Sequence, residues 1–174
     1  MKGNIKNLVL FVIVAAMFIT ASMASAGSTY IKGNYALSGF TSCSVAGSPA
    51  NPGILEADYT FKKDGTGSAT GWVRSIPTPN LSWVTLDFTY KVTKEGDIEF
   101  AYPSGGFKVY LPDQKTEILQ WDIAMSHGVI SPDGKTMTIS CGPPKVLTVI
   151  DSPLGPPVGT QGYCVTSIVG MRMN

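Results

Sequence analysis

Three short stretches constrain this chain more than anything else in it: KKDGT (62–66), TKEGD (93–97) and SPDGK (131–135). Each fits a three-residue hairpin loop, a type I turn followed by glycine in the left-handed region. Glycine suits that last position because it has no Cβ to clash at positive φ. The acidic residues favour such turns through local hydrogen bonds, and Pro132 presets the backbone of the third.

A loop of fixed length also fixes a register. For the loop 63–65, Phe61 is expected to face Gly67, Tyr59 to face Ala69, and Ala57 to face Gly71. For 94–96, the pairs are Val92/Ile98, Tyr90/Phe100 and Phe88/Tyr102. For 132–134 they are Val129/Met137, His127/Ile139 and Met125/Cys141. Every pair but His127/Ile139 sets an apolar residue against an apolar or small one. A one-residue slip would turn each side chain to the other face of the sheet.

Further strands are expected at 33–45 (GNYALSGFTSCSV), 107–111 (FKVYL), 117–125 (EILQWDIAM), 145–150 (KVLTVI) and 162–173. Proline-rich breaks fall at 76–80 and 151–157. The sum is an all-β chain of eight to ten antiparallel strands, each beside its sequence neighbour. An up-and-down β-barrel removes the two open edges of such a sheet. A two-sheet β-sandwich is the alternative. A lipid-embedded barrel would share the alternation. The facing large and small residues (Tyr59/Ala69, Phe61/Gly67) instead read as a packed interior, and long polar loops between ten-residue strands are missing. The reading is therefore a soluble barrel.

The first 26 residues look like a secretory signal peptide. Lys2 and Lys6 precede an apolar run from Leu8 to Ile19, and Ala24-Ser25-Ala26 supplies a small-residue cleavage site. The run is short for a retained span, which needs about 20 residues. Residues 27–174 then form one domain, exported to the periplasm or the extracellular space. Cleavage removes two of the 13 basic residues and none of the 12 acidic ones, leaving a net charge of −1. Such a balance makes no electrostatic case for nucleic acid or an anionic membrane.

Three cysteines in an oxidising compartment imply one disulfide and one free thiol. Cys43 lies near the end of the first strand and Cys164 near the start of the last. A closed antiparallel barrel places those two ends side by side, so the expected bond is Cys43–Cys164, with Cys141–Cys164 as the alternative. Cys141 is then a buried thiol.

Chemistry-bearing motifs are sparse. The third hairpin register sets His127 and Cys141 diagonally on one face, within side-chain reach. Their neighbours Met125, Val129, Met137 and Ile139 supply nothing to lower a thiol pKa or orient a base, so the pair reads as core and no catalytic residue is assigned. The chain has a single histidine and no C-x-x-C, so no metal site is expected and no cofactor is implied. The interior carries more information. Tyr59, Phe61, Phe88, Tyr90, Phe100, Tyr102, Phe107 and Trp121 all fall on expected inward rows. A barrel of this size is either filled by such side chains or holds one small ligand.

Gly33-Asn34-Tyr35 opens the first strand and Arg172 stands near the end of the last. In this the chain faintly resembles the lipocalin/calycin superfamily, where a G-x-W motif opens the barrel and a basic residue packs over its ring. Tyrosine stands here for the tryptophan. Other segments (GNYALSGFTSC, DGTGSATG, GVISPDGKTMTIS) resemble small exported bacterial β-barrel proteins of unassigned function. The superfamily resemblance implies a carrier of a small, mostly apolar molecule. The expected ligand-binding residues are Tyr59, Phe88, Tyr90, Phe100, Tyr102, Trp121 and His127. The alternatives are a structural or adhesive envelope protein with a filled core, and an isomerase or cyclase acting on a lipid-like substrate through His127. Intact mass of the exported protein tests the export reading. A chain beginning at Gly27, about 2 Da lighter before reduction than after it, is the expected outcome.

Overall fold

In a computed structural model of the chain, residues 31–45, 50–76, 78, 80–123 and 126–174 are described, without the side chains of 45 and 141–145. The expected signal peptide and Met125 lie outside these residues, as does the side chain of Cys141. Ten strands make one antiparallel sheet: β1 (Gly33–Val45), β2 (Asn51–Phe61), β3 (Thr66–Ser75), β4 (Leu81–Val92), β5 (Asp97–Ala101), β6 (Phe107–Tyr110), β7 (Glu117–Ile123), β8 (Ser126–Ile130), β9 (Thr136–Asp151) and β10 (Gln161–Arg172).

The sheet closes on itself. β1 pairs with β2 on one side and with β10 on the other, the latter through a register running from Tyr35/Arg172 to Val45/Gly162. The structure is a closed barrel, not an open sandwich. Two of its eight wall positions are split. β5 and β6 both pair with β4, on its C-terminal and N-terminal halves respectively. β8 and β7 divide β9 in the same way, and β5 pairs with β8 while β6 pairs with β7. Taken as eight wall positions, the ring follows chain order; strand by strand the split breaks the expected meander, since β4 pairs with β6, β5 with β8 and β7 with β9.

Pro103-Ser104-Gly105-Gly106 explains the first split. Proline removes a ladder donor, and Gly105 takes φ of +69°. The extruded loop is tied down from β7, where the Asp122 carboxylate accepts bonds from Ser104 Oγ and Gly105 N, each at 2.9 Å.

The first two turns take their expected form. Gly65 and Gly96 have φ of +80° and +93°. Lys62 pairs with Thr66 and Thr93 with Asp97 around three-residue loops. The resulting registers include Phe61/Gly67, Tyr59/Ala69 and Ala57/Gly71, and Val92/Ile98 and Tyr90/Phe100.

The third hairpin differs by one residue. Ser131 N donates to Thr136 O, so the loop holds four residues, 132–135. Lys135 is drawn out of the pairing because its carbonyl accepts the Arg172 amide of β10 (2.7 Å). Ser131 Oγ fills the gap, accepting from Thr136 N at 3.0 Å. His127 thus pairs with Ser140, Gly128 with Ile139, and Val129 with Thr138. The expected inward row is corrected: Val129 is 50% exposed, Ile130 only 9%, and His127 lies on the outer face. Met137 and Ile139 still point inward.

The interior near these three turns is solid. Tyr35, Phe88 and Tyr90 meet Phe61 edge to face, with centroids 5.1 Å apart for Phe61/Tyr90 and 5.3 Å for Phe61/Phe88, while Phe100 lies tilted to Phe61 and edge to face with Phe88. The buried aromatic polar atoms are anchored. Tyr35 donates to Gly134 O at 2.6 Å, and the Tyr90 hydroxyl faces the carbonyls of Ile31 and Lys62. Burial raises the Tyr35 pKa, against the pull of Arg172. Gly67 makes room for this plug, since a Cβ there would stand 2.3 Å from the Phe88 ring and 2.7 Å from the Thr60 carbonyl. Cys43 and Cys164 are directly paired across β1 and β10 and form a disulfide at the closure seam, as expected.

Two outcomes follow from this packing and turn chemistry. Gly67→Val should lower unfolding free energy by about 1–3 kcal/mol in urea melts, through overpacking against Phe88. The turn carboxylates should titrate low. The Asp64 pKa is lowered mainly by the Thr66 hydroxyl, that of Asp113 by Thr116 and that of Asp133 by Ser131. Their stabilising contribution is fully present above the ordinary aspartate value of about 3.9 and is lost as pH falls through the depressed one. Carboxyl NMR titration should give midpoints below about 3.9, and Thr66→Val should move that of Asp64 back up.

Candidate functional site: an interior cavity

Above the aromatic plug the same barrel is hollow. A cavity of about 330 Å³ occupies the half that holds the disulfide. The cause is side-chain size. Inward positions at the plug carry rings, whereas this end presents Thr41, Ala57, Ala69, Val73, Ser82, Val84 and Val109. Eight strands enclose nearly the same cross-section along their length, so small residues leave space.

The wall of the cavity is mostly hydrocarbon. Leu55, Leu86, Phe107, Leu119, Ile123, Ile139, Leu147 and Ile168 line it, with the disulfide on one side. Trp121 reaches across from β7 towards β10. Its ring lies 3.3 Å from where a Cβ of Gly162 would stand, so glycine at that position gives the indole its place. Trp121 is 7% exposed and packs with Leu119, Leu147, Val149 and Cys164.

Polar atoms enter at few points. Thr41 and Thr166 face each other across β1 and β10, with their hydroxyls 3.1 Å apart. Tyr102, beside the split in the wall, donates to Ser126 Oγ at 2.9 Å. Ser126 is 2% exposed. Asn51 and Ser82 stand nearer the loops. Among the described residues, no group of three or more His, Cys, Asp and Glu is placed to hold a metal.

The seven residues expected to bind a ligand separate by depth. Tyr59, Tyr102 and Trp121 line the cavity. Phe88, Tyr90 and Phe100 belong to the plug beneath it. His127 stands on the outer face, opposite Glu99 of β5. The lining residues that sequence reasoning missed are small or aliphatic: Thr41, Ala69, Val84 and Thr166. Their one sequence signal was inward parity on a strand, shared with every plug residue.

Comparison with protein-family models, curated proteins and solved structures gives no match of significance in any of the three. No helix among the described residues is long and apolar enough to cross a membrane.

Proposed function

We propose that this is an exported, non-enzymatic β-barrel protein that carries a small, mostly apolar molecule inside the barrel. The observation that carries this reading is the cavity of about 330 Å³, walled by aliphatic and aromatic side chains within a closed sheet. It falls within the usual range for ligand pockets, about 300–1,000 Å³. The disulfide at the seam fits an oxidising compartment, which supports export to the periplasm or beyond. The lipocalin-like resemblance remains part of the proposal. It is supported by Arg172, which pairs across the sheet with Tyr35 and sets its guanidinium against Gly33.

A second reading, an envelope or adhesive protein working through its surface, rests on a different observation. Tyr163, Val165, Val169 and Met171 point outward along β10 and are exposed, with Phe40 beside them on β1. Leu154 and Val158 in the proline-rich loop are exposed as well. That reading expects a filled core, which the cavity does not favour. The isomerase reading needed His127 inside the barrel, and His127 is outside.

The experiment is native mass spectrometry of the protein isolated from its host, beside a Val84→Trp variant. Val84 is buried and lines the cavity. The carrier reading expects extra mass on the wild type, released on denaturation and missing from the variant. A bare wild-type mass, with no small apolar probe taken up on titration, would overturn it.

A further inference from the structure

We infer that the outer face of the β1–β10 seam is the surface on which two copies of this chain pair about a two-fold axis. The inference goes beyond the carrier reading and does not depend on what the cavity holds.

On that face Tyr163, Val165, Val169 and Met171 of β10 and Phe40 of β1 are each 44–65% exposed. Ile54 of β2 pairs with Phe40, and Val146 of β9 with Tyr163, so two further exposed residues extend the patch on either side. Seven half-exposed side chains of this size offer on the order of 600 Å², about the largest apolar patch an ordinary monomer leaves open. One partner's share of a specific interface is about 600–1,000 Å², so the patch is large enough for a stable pair.

The ladder register gives the patch a pattern. The directly paired residues are Met171/Ala36, Val169/Ser38, Ser167/Phe40, Val165/Ser42 and Tyr163/Ser44. Each pair holds one large side chain and one small one. β10 therefore raises a ridge broken at Ser167, and β1 forms a lane of small residues broken by Phe40. A two-fold axis between these strands, parallel to them and in the plane of contact, sets β10 of one copy over β1 of the other at equal heights. Every large side chain then meets a small one. Val169 lies over Ser38 of the second copy, Val165 over Ser42, and Phe40 over Ser167. Packed sheets are rotated by about 30°, so the match is closest at the middle pair, where the two Phe40 rings flank the axis.

Charge also favours a second copy. A two-fold interface sets a patch against itself, so an ionised group near the axis would meet its own likeness. The five pairs contain no ionisable side chain. Asp58 and Glu56 lie one strand further out, beside Ala36 and Ser38. The same axis places them over Thr136 and Thr138 of the second copy, whose hydroxyls can donate to them at a polar rim. The seam is fully paired, so the copies meet face to face and not by strand addition.

The test is sedimentation velocity on the full disulfide-bonded protein, in a concentration series reaching about 100 µM, a range that reports even weak dimers. Two outward-facing variants accompany it. Phe40→Asp puts like charges beside the axis. Ser38→Trp fills the place that receives Val169 while adding apolar surface, so it separates shape-matched pairing from general stickiness. Thermal melts by circular dichroism establish that each variant folds, and Val169→Asp replaces either one that does not.

The wild type is expected to sediment at twice the chain mass, and each folded variant to associate at least about tenfold more weakly. A wild type that stays monomeric at the highest concentration would overturn the inference. So would a dimer that either folded variant leaves intact or strengthens. A monomer that floats with phosphatidylcholine vesicles would assign the face to a lipid surface and overturn it equally.

Discussion

Everything in this molecule depends on the pairing of its first strand with its last. The β1–β10 ladder joins residues separated by most of the chain, and without it the meander would be an open sheet with two unsatisfied edges. Closure turns one face of every strand into an interior. The Cys43–Cys164 bond sits on this ladder and closes a separation of 121 residues. In the chain-entropy model such a link contributes about 4–5 kcal/mol, chiefly by restricting the unfolded chain. The covalent bond is thus placed where non-local pairing is entropically hardest to establish.

Once the ring is closed, side-chain volume decides what lies inside. Near the glycine turns, five aromatic rings from β1, β2, β4 and β5 fill the cross-section, and Gly67 yields space to Phe88. At the disulfide end alanine, valine, threonine and serine stand among the larger aliphatic residues, Phe107 and Trp121, and the volume opens. The two halves share one backbone architecture. The filled end and the hollow end differ in the share of small residues on the inward rows.

Much of this was legible in the sequence, and the failures have physical causes. The DGT and EGD turns declared their loop lengths, so two registers could be read residue by residue. The SPDGK turn looked alike but gained Lys135, whose carbonyl is claimed by Arg172 of β10. That tertiary bond has no local signature. Val129 and Ile130 are both apolar, so alternation fitted either register, and His127 was carried to the wrong face. The separate strand expected at 145–150 is the second half of β9, which runs from Thr136 to Asp151 as one strand, and the ladder to β10 absorbs an irregularity between Cys164 and Thr166. The cavity was not legible. Its existence depends on the summed volumes of inward residues from all around the ring, and parity along one strand does not report them.

The hollow half also bears on function through its energetics. Buried space left by missing side chains costs about 24 cal/mol per Å³, so an enclosed dry void of this size would cost roughly 8 kcal/mol. That is comparable with the whole stability of an ordinary domain, about 5–15 kcal/mol. Part of the cost falls away where the cavity meets water near Asn51 and Ser82, and more would fall away with a ligand in place. The plug and the seam disulfide provide the stability that lets the opposite half stay under-packed. Larger aliphatic residues at Ala57, Ala69 or Val84 would fill the space with no change of fold class, so a barrel with a purely structural task has no physical reason to leave it open. On the carrier reading proposed above, a barrel that must admit a guest does have one, with the plugged end as scaffold and the hollow end as the binding half.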